Sequence, residues 1–163
     1  MLKQAIGLAA LLAIAPAGAF DLYGVKTGMT EEQVKSAIFF QYTSVKQIQL
    51  TPEWATVDYI GENSDLSVDF CNGVAESVSQ GKEPTLGGLN EAMRMLTETY
   101  GQPMGARFDT PDKSLAKTGI YWRAPHDDVA LVVLTGGKSG SISAINLNYT
   151  AKGRAQCIDK LRK

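Results

Sequence analysis

Apolar and polar side chains alternate with a period of two in four short runs, Ser44–Leu50, Trp54–Ile60, Leu66–Phe70 and Gly73–Ser79. That period belongs to strands with one buried face. Turn residues divide the runs: Thr51-Pro52-Glu53, the stretch Gly61 to Asp65, and Asn72-Gly73, a two-residue hairpin signal. An antiparallel meander is predicted. Ahead of it, in Gly28–Ile38, the spacing becomes helical, with Val34, Ala37 and Ile38 on the inward face. Thr30 is placed to cap this helix, Gln33 to complete a capping box, and Met29 and Val34 to form a hydrophobic staple. Glu31 and Glu32 complement the positive end of the helix dipole, so they read as surface residues rather than as a catalytic pair.

A second helix is predicted over Leu86–Tyr100, with Leu89, Ala92, Met93, Leu96 and Tyr100 on one stripe and Gly101 and Pro103 as its stop. Strand patterns return at Gly105–Asp109, Gly119–Ala124, Val129–Leu134 and Ser141–Tyr149. Val129–Leu134 is apolar throughout, which predicts a strand covered on both faces. The order predicts an α+β fold of two tandem helix-plus-four-stranded antiparallel meander units, their sheets side by side, either edge to edge or around a shared hydrophobic seam, with the helices packed on one side of the sheets. The repeats fall at about 24–80 and 84–150 of a single domain, 20–163, with a C-terminal segment at 151–163.

Residues 1–19 carry one positive charge at Lys3, an apolar run, and Ala17-Gly18-Ala19, the small-x-small form of a signal-peptide cleavage site. Pro16 and the shortness of the run argue against a membrane anchor, and no cysteine follows that could carry a lipid. Cleavage leaves 15 basic against 17 acidic residues. This balance offers no clustered basic face for nucleic acid or an anionic membrane. A soluble periplasmic or secreted protein is expected. Cys71 and Cys157 are the only cysteines, and an even pair in an exported chain predicts a disulfide.

The opening "YGVKTGMTEEQVKSAI" resembles that of the SmpA/OmlA-type outer-membrane assembly domains. The tandem arrangement, with "LNEAMRMLTETYGQP" opening the second unit, resembles the secreted β-lactamase-inhibitor proteins. Both resemblances imply a protein-binding scaffold. Neither supplies a target, and the chain lacks the lipid-accepting cysteine of the first family and the additional cysteines of the second.

Little in the chain points to chemistry. His126 is the only histidine, and "APHDDV" reads as a polar hairpin turn rather than a metal site. Gly137-Lys138-Ser139 resembles the end of a phosphate loop, but Val132 replaces its first glycine and a strand follows instead of a helix. No cofactor, metal or catalytic residue is expected. Alternation instead places Trp54, Asp58 and Asp69 on the helix-free face of the first unit, with Tyr121 and Arg123 on that of the second and Trp122 in the core. Aromatics, arginine and carboxylates together suit the centre of a protein interface. An exported protein-binding module is therefore predicted, in its sharpest form an inhibitor of a secreted or periplasmic enzyme. The alternatives are an envelope-assembly or chaperone-like factor, and a hydrolase using Asp58 and Asp69.

Overall fold

The computed structural model describes residues 20–38, 42–62, 65–112, 114–136, 140–152 and 157. The expected leader, residues 39–41 of the aromatic "FFQY", Gly137–Ser139 and most of 151–163 lie outside the described residues. A short hairpin, β1 (Asp21–Leu22) and β2 (Val25–Lys26), precedes helix α1 (Glu31–Ala37). Four strands follow: β3 (Tyr42–Thr51), β4 (Trp54–Gly61), β5 (Asp65–Cys71) and β6 (Val74–Lys82). Helix α2 (Leu86–Tyr100) then leads to β7 (Gly105–Asp112), β8 (Leu115–Arg123), β9 (Asp127–Gly136) and β10 (Ser141–Ala151).

The expected α+β architecture of two helix-plus-four-stranded units is corrected. Strands make up 61% of the structure and helices 19%, and β3 to β10 form one antiparallel sheet rather than two. Its order is β3-β4-β5-β6-β10-β9-β8-β7. The join is the β6–β10 pairing, which runs from Ile145 opposite Lys82 to Thr150 opposite Ser77. Each of these strands closes its own meander and would otherwise leave a row of backbone donors and acceptors bare at an edge. Pairing them satisfies both rows at once, so the protein is a mostly-β, eight-stranded sheet with two helices laid on it.

Local signals act as their chemistry dictates. Gln33 N donates to Thr30 Oγ1 at 3.3 Å and Thr30 N to Gln33 Oε1 at 2.9 Å, closing the capping box of α1. Asn72 and Gly73 both take positive φ, 52° and 79°, as a tight β5–β6 hairpin requires. Helix α2 occupies the residues its stripe predicts and ends at Gly101, φ 80°.

One face of the sheet carries the core. Val57, Val68, Val78, Tyr149, Val129 and Trp122 form a single cross-strand line, all buried. Helix α2 lies over this face: Ala92 and Leu96 are buried, and Trp122 Nε1 donates to Gly101 O at 3.1 Å. The β1–β2 hairpin and α1 cover the β4–β6 half, burying Phe20, Val25 and Val34, and Gln80 Nε2 donates to Tyr23 Oη. The apolar run of β9 is covered on one face only. Val129, Leu131 and Val133 are buried, whereas Ala130, Val132 and Leu134 are half-buried on the other face. Cys71 and Cys157 are joined in a disulfide, Cα–Cα 5.9 Å, tying residue 157 to the end of β5. No helix among the described residues is long and apolar enough to cross a membrane.

Candidate functional site

All five residues singled out by alternation lie in strands of the one sheet, on its helix-free face: Trp54 and Asp58 on β4, Asp69 on β5, Tyr121 and Arg123 on β8. Two cross-strand lines organise this face. In one, Thr56, Asp69, Ser77, Thr150, Asp128 and Arg123 stand opposite one another from β4 to β8. In the next, Lys46, Asp58, Ser67, Ser79, Asn148, Ala130 and Tyr121 do the same from β3.

Asp58 and Asp69 are diagonal rather than directly opposite, because Asp58 faces Ser67 and Asp69 faces Thr56. Each carboxylate is tied to its own sheet. Asp69 accepts from Thr56 Oγ1 at 2.7 Å on one oxygen and from Ser77 Oγ at 2.6 Å on the other. Asp58 accepts from Ser67 Oγ. These bonds lock neighbouring strands in register, and both Asp69 oxygens are already occupied, which is a poor start for an acid–base pair.

The five residues divide into two groups. From β4 to β8 the face crosses five strand-to-strand steps of about 4.8 Å, so Asp58 and Tyr121 stand about 24 Å apart. Between them lies an uncharged belt of Ser77, Ser79, Asn148 and Thr150, followed by the half-buried apolar strip Ala130, Val132 and Leu134 beside Tyr121. Sequence reasoning misses the strip, because an unbroken apolar run fits a doubly covered strand equally well. Arg107 on β7 and Lys117 on β8 also face this side near Tyr121; Lys117 is missed because the apolar pattern of β8 becomes distinct only from Gly119 onward, and Arg107 because only the register with β8 places it beside Tyr121. The period-two string Lys117-x-Gly119-x-Tyr121-x-Arg123 is the signal that could have found Lys117.

The "APHDDV" stretch is not wholly a polar turn. Asp127 is 2% exposed and begins β9 on the core side, where Oδ1 has no hydrogen-bond partner among the described residues. Burial pushes its carboxyl up from 3.8 to about 6, while the charges of His126 and Lys152 pull the other way. Lys152 Nζ donates to Ala124 O. Beside Asp127, Tyr149 and Tyr100 pack with ring centroids 6.4 Å apart, and burial raises both phenols.

Cys71, Glu76 and Cys157 bring three ligand atoms within 4.8 Å of one another, all in buried residues. With the sulfurs bonded together they offer no thiolate, so the oxidised chain presents a crosslink there rather than a metal seat.

Comparison with family models, curated proteins and solved structures finds no match to this chain.

Proposed function

We propose that the chain is an exported, soluble protein-binding module that seats a partner on the helix-free face of its sheet, in the sharpest form as an inhibitor of a secreted or periplasmic enzyme. The observation that carries this reading is the distribution of Trp54, Asp58 and Asp69 at one end of that face and Tyr121 and Arg123 at the other, about 24 Å apart with an apolar strip between. Groups so distributed exceed the reach of a small ligand and suit the breadth of a protein interface, to which each partner commits roughly 800 Å². The leader-like residues 1–19 and the Cys71–Cys157 bridge support an oxidising compartment outside the cytoplasm.

A second reading, an envelope-assembly or chaperone-like role, is favoured by β3. This ten-residue edge strand has Val45, Ile48 and Leu50 exposed and carries Lys46 as its only charge, so it suits the addition of an extended segment.

The test uses oxidised protein from residue 20 onward as bait in periplasmic and secreted fractions, compared with a Trp54→Asp, Tyr121→Asp double variant. Retention of a stoichiometric partner by the wild type alone, together with loss of that partner's activity on titration, supports the inhibitor reading. Equal capture by a folded double variant overturns the assignment of this face. Capture abolished instead by Val45→Lys, on β3 but not on the helix-free face, moves the function to the β3 edge.

A further inference from the structure

Where β7 meets β8 on the helix-free face, Arg107, Asp109, Lys117, Gly119 and Tyr121 line a polar hollow of about 240 Å³. Register explains its shape. Arg107 stands opposite Gly119, and Asp109 opposite Lys117, so the two cations flank a position with no side chain. The phenol of Tyr121 fills the space above that glycine: a Cβ at 119 would lie 2.6 Å from Tyr121 Oη and 2.9 Å from Cζ. Arg107, Lys117 and the Tyr121 phenol thus line one hollow around a glycine.

None of these three side chains is committed elsewhere among the described residues. The ion pairs there are Lys26–Asp21, Lys35–Glu31 and Arg94–Glu98, and no hydrogen bond engages the side chain of Arg107, Lys117 or Tyr121. Even Asp109, directly across from Lys117, forms no ion pair with it. Two cations lining one hollow, neither in an ion pair among the described residues, suit recognition of an oxyanion, with Arg contributing a fork of donors and Lys a point charge. The hollow falls below the roughly 300 Å³ of a pocket for a drug-sized ligand, so it suits one functional group rather than a whole molecule.

We infer that this hollow is an oxyanion seat, taking a single carboxylate or phosphate group through Arg107, Lys117 and Tyr121 Oη. Asp109 opposes it, limiting affinity and favouring ligands whose anion is accompanied by a donor. The seat stands whether or not the whole face binds a protein.

The test is titration of the full oxidised chain with acetate, inorganic phosphate and N-acetyl-aspartate amide at low ionic strength, followed by amide chemical shifts. Expected is a saturable change confined to residues 105–123, weakened at least fivefold by Arg107→Gln or Lys117→Gln and strengthened severalfold by Asp109→Asn. These side chains are exposed, so unchanged circular dichroism will certify the fold of each variant. Gly119→Ala, which pushes the Tyr121 ring aside, should also weaken binding. Preference for the aspartate amide identifies an acidic side chain of another protein as the source, and preference for phosphate a free anion; both retain the seat. Shifts that do not saturate, or that survive unchanged in Arg107→Gln, overturn it.

Discussion

Replacing Asp127 by Asn should make the protein more stable at neutral pH and leave it little changed in acid. The carboxyl is buried, its Oδ1 lacks a partner among the described residues, and its pKa rises from 3.8 to about 6. Between those values the folded state holds a proton that the unfolded chain releases. Stability therefore falls as pH rises from about 4 to about 6 and is flat above. About two pH units at 1.36 kcal/mol each set the ceiling of this loss near 3 kcal/mol. Asparagine stays neutral throughout, but its amide brings buried donors whose imperfect pairing costs about 1 kcal/mol. The net expectation is a gain of about 2 kcal/mol at pH 8 and a loss of about 1 kcal/mol or less at pH 4. Urea denaturation followed by the fluorescence of Trp54 and buried Trp122, repeated at each half pH unit from 4 to 8, measures both curves. Other groups titrate in this window, so the informative quantity is the difference between variant and wild type. Parallel curves across pH 4 to 7 would refute the reasoning, because the acid-dependent term would then lie outside Asp127.

The double change Cys71→Ser, Cys157→Ser should cost about 4 to 5 kcal/mol by the same denaturation, the chain-entropy value for a sequence separation of 86, and reductant should reproduce it in the wild type. Asp69→Ala should cost about 1 to 3 kcal/mol, because the Thr56 and Ser77 hydroxyls lose their shared acceptor. Asp69→Asn, which keeps one acceptor oxygen, should cost visibly less on the same denaturation curves.

Features written within a few residues are legible in the sequence. The Thr30–Gln33 capping box, the Asn72-Gly73 hairpin and the span of α2 each depend on side chains acting on their own backbone. The β6–β10 join is not legible, because the pairing of Lys82 with Ile145 leaves no local mark on either strand. From this comes the expectation of two units. It also conceals the width of the candidate site: alternation places Asp58 and Tyr121 on helix-free faces, but only the strand order sets the distance between them. Asp127 is hidden for a different reason. Proline and two acidic residues imitate a turn, although β9 has already begun at the first of them. The apolar run of β9 misleads because neighbouring strands half-shield Ala130, Val132 and Leu134 without any described element packing above them.

Of the two strands at the middle of the sheet, β6 and β10, the second is the last of the eight to be synthesised. β10 lies between β6 and β9, so until Ser141–Ala151 leaves the ribosome both neighbours have a bare edge and the growing chain holds two half-sheets with no seam. Cys157, which must reach Cys71, emerges later still. Closure of the sheet thereby waits until β10 and Cys157 have both emerged, because its central pairings are among the most distant in sequence. A chain stopped before residue 141 would keep the β6 and β9 edges bare, and bare edges are templates for aggregation rather than parts of a smaller working protein.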